Sequence, residues 1–95
     1  PFTLDWNDWT NNIVGIDDQL ILPEFPATPE GQRKFINEIK ALTKEVENGI
    51  GFCYWGAELI AWKGNESQDA SPWENQALFD FDNKALPVLR EFKNE

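Results

Sequence analysis

The chain has 95 residues, with 17 acids against 8 bases, a formal charge of −9 and 41% apolar or aromatic residues. A strongly acidic chain without a basic cluster is a poor partner for phosphate backbones, and no apolar run approaches the roughly 20 residues of a membrane-spanning helix. One cysteine and no histidine exclude an internal disulfide, a cysteine-rich zinc site and any Ser-His or Cys-His couple within the chain, which leaves carboxylates, the tyrosine, the lysines or a hard metal for chemistry.

Residues 1–28 show no helical period. Trp6, Asn7, Asp8, Trp9, Thr10, Asn11 and Asn12 form a polar stretch carrying two of the five tryptophans. Ile13 to Ile16, the acidic pair Asp17 and Asp18, and Leu20-Ile21-Leu22 follow, and Pro23 and Pro26 break that run. A structureless segment of this length in a compact domain is a functional loop or a piece whose partners lie elsewhere. The chain starts at Pro1 and holds no methionine, so the expectation is a processed product, an excised fragment or part of a longer chain. No targeting signal is visible in it.

A helix is expected over 29–47. Thr28 suits the N-cap, Pro29 the first helical position, and Glu30 the positive end of the helix dipole. Phe35, Ile39, Leu42 and Val46 repeat on a single apolar face, with Ile36 widening it. Glu47-Asn48-Gly49 ends the helix, with Gly49 as the left-handed cap.

The run Ile50-Gly51-Phe52-Cys53-Tyr54-Trp55 is short, apolar and unalternating, as strands buried on both faces are, and Cys53 is expected to be a buried small apolar side chain. A helix feeding such a strand is the α-to-β step of a parallel α/β fold. A long loop runs from Gly56 to Asn75, with a helical turn near Ala57–Ala61. Leu78 to Phe81 alternates, Asp82-Asn83 signals a turn, and Leu86, Leu89 and Phe92 fit a final short helix. One good strand cannot make a sheet.

Three stretches resemble the C-terminal part of glycoside hydrolase family 53, the endo-β-1,4-galactanases that cut the galactan side chains of pectic arabinogalactan. They are Phe25-Pro-Ala-Thr-Pro-Glu-Gly-Gln32, Gly49-Ile-Gly-Phe-Cys-Tyr-Trp55, and Ser71-Pro-Trp-Glu-Asn-Gln-Ala-Leu-Phe-Asp-Phe-Asp82 followed by Ala85-Leu86-Pro87. The resemblance covers about residues 1–92. It implies a (β/α)8 barrel, which needs about 250 residues, so residues 1–95 are expected to be a C-terminal fragment of one catalytic domain. Residues 1–28 would be the loop after strand 7, 29–47 helix 7, 50–55 strand 8 and 86–93 the closing helix. The rest of the barrel is then a partner, and a galactan polysaccharide or oligosaccharide the substrate.

The resemblance also implies a retaining mechanism with two carboxylates about 5–5.5 Å apart. The family places its acid/base after strand 4 and its nucleophile at the end of strand 7, in a Glu-Thr-X-Tyr motif that runs into the segment beginning Pro1-Phe2-Thr3-Leu4. Both catalytic carboxylates are therefore expected upstream of Pro1, and the 95 residues alone are expected to be inactive. The family also implies a secreted, periplasmic or cell-surface location.

Individual residues carry two readings each. Trp55, at the end of strand 8, is an aromatic platform under a sugar or an ordinary core tryptophan, and Tyr54 should point the opposite way, to substrate or to core. Glu58 is the tempting carboxylate of that loop. The family has Trp-Glu-Pro-Ala-Trp where this chain has Trp55-Gly56-Ala57-Glu58-Leu59, so Glu58 is read as solvated or substrate-contacting rather than catalytic. Glu74 and Asn75 either bind sugar hydroxyls or fix the loop backbone through side-chain hydrogen bonds. Trp6 and Trp9 serve distal sugar subsites or pack the first loop. Some family members hold calcium in that loop, through an Asp-Gly-Asp-Gly-His-X-Asn segment. Asp8 and Asn12 match its second Asp and its Asn, whereas Trp6, Asn7, Trp9 and Thr10 depart from it, and the first acidic ligand is lost unless Asp5 substitutes. Asp5, Asn7 and Asn11 offer further oxygen atoms for a cation that takes about 6–8 of them. No cofactor is otherwise required. The rival reading is a small stand-alone carbohydrate-binding or structural domain without catalysis.

Overall fold

A computed structural model describes residues 1–4, 12–64 and 71–93. The one α-helix among the described residues, α1, runs Pro29–Glu45. Thr28 caps it in extended conformation, its Oγ1 accepting the Gly31 N–H at 2.9 Å. Gly31 has a second reason to be glycine: a Cβ there would meet the Pro26 carbonyl oxygen at 1.9 Å. The Phe25-to-Gln32 stretch is thus a tight entry into the helix, with no room for a larger residue.

The helix stops two residues before the expected 47. The Thr43 hydroxyl donates to the Ile39 carbonyl at 2.8 Å and Val46 N–H reaches back only to Thr43, at 3.3 Å, which tightens the last turn. The left-handed position falls on Asn48, at φ 69°, and not on Gly49. Asparagine tolerates that conformation. Gly49 is instead needed for space, since a Cβ there would lie 2.4 Å from the Thr43 carbonyl oxygen.

The expected apolar stripe of α1 is also corrected. Ile36, only 2% exposed, is the helix's core residue, and Gln32 one turn earlier is buried with it, while Phe35, Leu42 and Val46 are exposed. A hydrophobic period identifies a face that wants cover, but the packing partner decides which part of it is covered. That partner is the 3-10 helix Pro87–Glu91, where a longer closing helix over 86–93 was expected. Ile36 joins Phe2, Leu78, Leu86 and Val88 in the core, with Phe52, Tyr54, Ala57, Phe79, Phe81 and Leu89 packed against it.

No β-strand is present among the described residues; the single bridge pairs Phe79 with Ala85 across a turn. Asp80 closes that turn, its Oδ1 accepting the N–H groups of Asp82 and Lys84 at 2.9 Å each. The run 50–55, expected as a strand buried on both faces, carries no ladder. Its exposures alternate instead: Phe52 and Tyr54 are half-buried on the core side, while Cys53 and Trp55 are exposed, so the expectation of a buried Cys53 does not hold. A strand exists by pairing, and the described residues offer no neighbour along 50–55.

The described parts of the first segment, 1–4 and 12–28, are irregular apart from a 3-10 turn at Asp17–Gln19. Gln19 folds back over it: its Oε1 accepts from Gly15 and Ile16 N–H, and its Nε2 donates to the Ile13 carbonyl. Among the described residues, no helix is long and apolar enough to cross a membrane.

Candidate functional site

Two tryptophans meet where the 50–55 run ends. Trp55 and Trp73 have ring centroids 5.3 Å apart with planes at 89°, an edge-to-face pair. Trp55 is 69% exposed, and Trp73 is half-buried. Gly56 follows Trp55 at φ 103°, a backbone conformation that side-chain-bearing residues rarely adopt, so the chain turns sharply there and leaves the Trp55 ring outside.

Tyr54 points the other way, as alternation in an extended run demands. Its ring is edge-on to Phe92 at 5.8 Å, and its hydroxyl donates to the Gln76 carbonyl at 2.5 Å. Burial raises the Tyr54 phenol above its ordinary value, against a smaller opposing effect of the Gln32 side chain. Tyr54, Gln32, Phe25 and Phe35 line a cleft of about 290 Å³ under the 19–26 segment. Of the two neighbours expected to contact substrate, Trp55 is thus presented to solvent and Tyr54 is tied to the loop backbone. Glu58 sits exposed in the turn after Gly56.

The Ser71-to-Asp82 stretch holds the site together. Asn75, 0% exposed, donates through Nδ2 to the Thr3 carbonyl at 3.0 Å and to the Val14 carbonyl at 2.7 Å. Its own carbonyl accepts the Phe2 N–H at 2.8 Å, and one step away the Pro72 carbonyl accepts Ile13 N–H at 2.9 Å. Of the two readings of Asn75, the geometry therefore supports the fixing of backbone: this amide binds the N-terminal segment to the last loop. Glu74 beside it is 1% exposed and has no open face toward solvent.

Two further residues contribute. Trp73 belongs to the Ser71-to-Asp82 stretch, and its fixed place follows from the burial of Glu74 and Asn75 after it, which spacing alone does not reveal. Gln32 donates through Nε2 to the Ala77 carbonyl at 2.9 Å, tying α1 to the same loop. Its position one turn before Ile36 places it on the core face and is the signal for that role.

Trp6, Trp9 and Asp8 lie outside the described residues. Asn12 is half-buried at the edge of that loop. Among the described residues, no group of three or more Cys, Asp or Glu side chains is placed to hold a metal ion.

The sequence of the chain is similar to known proteins over nearly its whole length. The family model described as glycosyl hydrolase family 53 matches residues 1–92. An arabinogalactan endo-beta-1,4-galactanase of Cellvibrio japonicus is 34% identical over 99 residues, covering 98% of this chain and 25% of that protein. A protein of Niallia circulans, described as an uncharacterized protein in the bgaB 5′ region, is 33% identical over 96 residues, covering 98% of this chain and 26% of that protein. The chain thus spans about a quarter of the length of these relatives. No solved structure matches it significantly. With the match running from the N-terminal segment through the Trp73–Asn75 loop to the 3-10 helix, the chain belongs to glycosyl hydrolase family 53.

Proposed function

We propose that these residues are the C-terminal portion of a (β/α)8 barrel that hydrolyses β-1,4-galactan with retention of configuration. In this reading the chain supplies substrate-binding loops, and the catalytic carboxylate pair is contributed by other parts of the barrel. The observation that carries it is Trp55: a largely exposed indole, braced by a second tryptophan, at the end of an extended run in a chain of this family. Barrel active sites gather at the C-terminal ends of strands, and 50–55 taken as strand 8 puts Trp55 at such an end. An aromatic face suits the apolar C–H face of a pyranose. The relative from Cellvibrio japonicus, named for action on arabinogalactan, gives the substrate class.

The uncovered faces support the same assignment. Ile50 is fully exposed at 101%, and Val46, Leu42 and Ile21 are exposed too. In the barrel reading neighbouring strands pair with the backbone of 50–55, and barrel elements outside this chain cover Ile50 and Cys53. In the stand-alone reading these apolar groups have nothing to cover them, and no observation favours that reading.

Asp8 and Asn12 are proposed to give oxygen atoms to a calcium ion in the first loop. Galactan outside the cell is the proposed setting.

The test is activity on β-1,4-galactan, followed by the reducing ends released. The full-length protein is expected to cleave it with retention, and the purified 95 residues to release nothing. Galacto-oligosaccharides from the 95-residue piece would overturn the division of labour, and a full-length protein inert on galactan would overturn the substrate assignment.

A further inference from the structure

Trp55 and Trp73 are held very differently. Trp55 ends an unpaired extended run, precedes a glycine in a left-handed conformation, and shows most of its surface to water. Trp73 sits on a fixed backbone. Its N–H donates to Ser71 Oγ at 3.2 Å, its carbonyl accepts the Gln76 N–H at 2.8 Å, and the two residues after it are buried. The Asn75 amide then anchors that loop to Thr3 and Val14.

We propose that Trp73 is the positioning residue for Trp55: its edge-to-face contact fixes the plane of the Trp55 ring and so the angle at which that ring meets a sugar. The inference rests on the reading of Trp55 as the sugar platform. Aromatic rings attract edge to face because the positive ring edge meets the negative π face. At 89° one ring's edge abuts the other, so at least one face of Trp55 stays open. An exposed indole without such a brace would sample several rotamers, and ordering it on binding would oppose affinity. Trp73 removes that cost before substrate arrives. Its indole need not touch the sugar.

The role is tested in the full-length protein with a cycle of Trp55→Ala, Trp73→Ala and the double variant, with KM and kcat on galactan measured separately. Trp73→Ala is expected to raise KM about 2–10-fold, the range an aromatic pair carries, with kcat little changed. In the Trp55→Ala background, the same substitution should add nothing to KM. If Trp55→Ala leaves KM unchanged, the platform reading itself fails. If Trp55→Ala raises KM but Trp73→Ala does not, or if the two effects multiply, Trp73 does not act through Trp55 and the inference is overturned with the platform intact. Should Trp73→Ala fail to fold, Trp73→Phe and Trp73→Leu decide the matter. Phenylalanine restores an aromatic edge and should keep KM within about twofold, whereas leucine should raise it. A leucine variant as good as the phenylalanine one would contradict the proposal.

Discussion

The loop 71–82 and the run 50–55 are both short, aromatic-rich and adjacent in space, yet they behave oppositely. The loop is anchored to the rest of the chain: Ala77 and Leu78 are buried, Asn75 spends its amide hydrogens on carbonyls of the N-terminal segment, Gln32 donates to the Ala77 carbonyl, and Asp80 closes its own turn. The 50–55 run has one side on the core and the other open, with Ile50 fully exposed and Cys53 bare. Polar groups that find carbonyl partners elsewhere in the chain fix a loop in place. An apolar extended run needs a neighbour on each side. The loop therefore finds its partners among the described residues, and the run is left with uncovered apolar side chains.

The largest effect should come from the closed side. Phe2 is 5% exposed, stacks at 5.2 Å against Phe81, and is pinned by Asn75; Phe2→Ala should cost about 3–5 kcal/mol in urea unfolding of the full-length protein. A loss under about 1 kcal/mol would mean that the N-terminal segment is not part of the core. Ile50→Ala probes the open side. It should be nearly silent, within about 0.5 kcal/mol, wherever Ile50 is as exposed as it is here, and cost about 2–5 kcal/mol where barrel strands cover it. Equal small effects in the 95-residue chain and the full-length protein would remove the proposed neighbours.

Asn75→Ala should follow at about 1–3 kcal/mol, because it removes a buried amide and leaves the part-buried carbonyls of Thr3 and Val14 without its hydrogen bonds. Asn75→Asp should be no better, since a carboxylate cannot donate to either. The smallest effect is electrostatic. Arg33 Nε donates to Glu91 Oε2 at 3.2 Å and Asn37 adds a second bond, which together hold the Glu91 carboxyl below its usual range. A carboxyl whose value falls on folding lends stability that is present above the unfolded range, about 4.3, and lost as pH falls through the folded value. Glu91→Gln should therefore flatten the acid side of the Tm-against-pH profile. An unchanged profile would show that the pairing of α1 with the 3-10 helix owes nothing to this contact.

Much of this was legible in the residues, and what was not has physical causes. The start of α1 was readable because Thr28 and Pro29 act locally. Its end was not, because the Thr43 back-bond and the crowding at Gly49 depend on chain geometry that spacing does not reveal. The apolar stripe named Phe35, Ile39, Leu42 and Val46 with Ile36 at its edge. Of these the core buries Ile36 and leaves Phe35, Leu42 and Val46 exposed, since a stripe says which face seeks cover but not what is there to cover it. The opposite directions of Tyr54 and Trp55 followed from extended geometry alone. The double role of Asn75 did not, because both its acceptors lie more than sixty residues away in sequence.

The central claim is that Trp55 presents its face to galactan, and kcat/KM of the full-length Trp55→Ala variant on β-1,4-galactan tests it most directly. A fall of about tenfold or more, with the Tm unchanged, is the expected result for an aromatic anchor lost from a binding surface. A kcat/KM equal to that of the unmodified protein would contradict it.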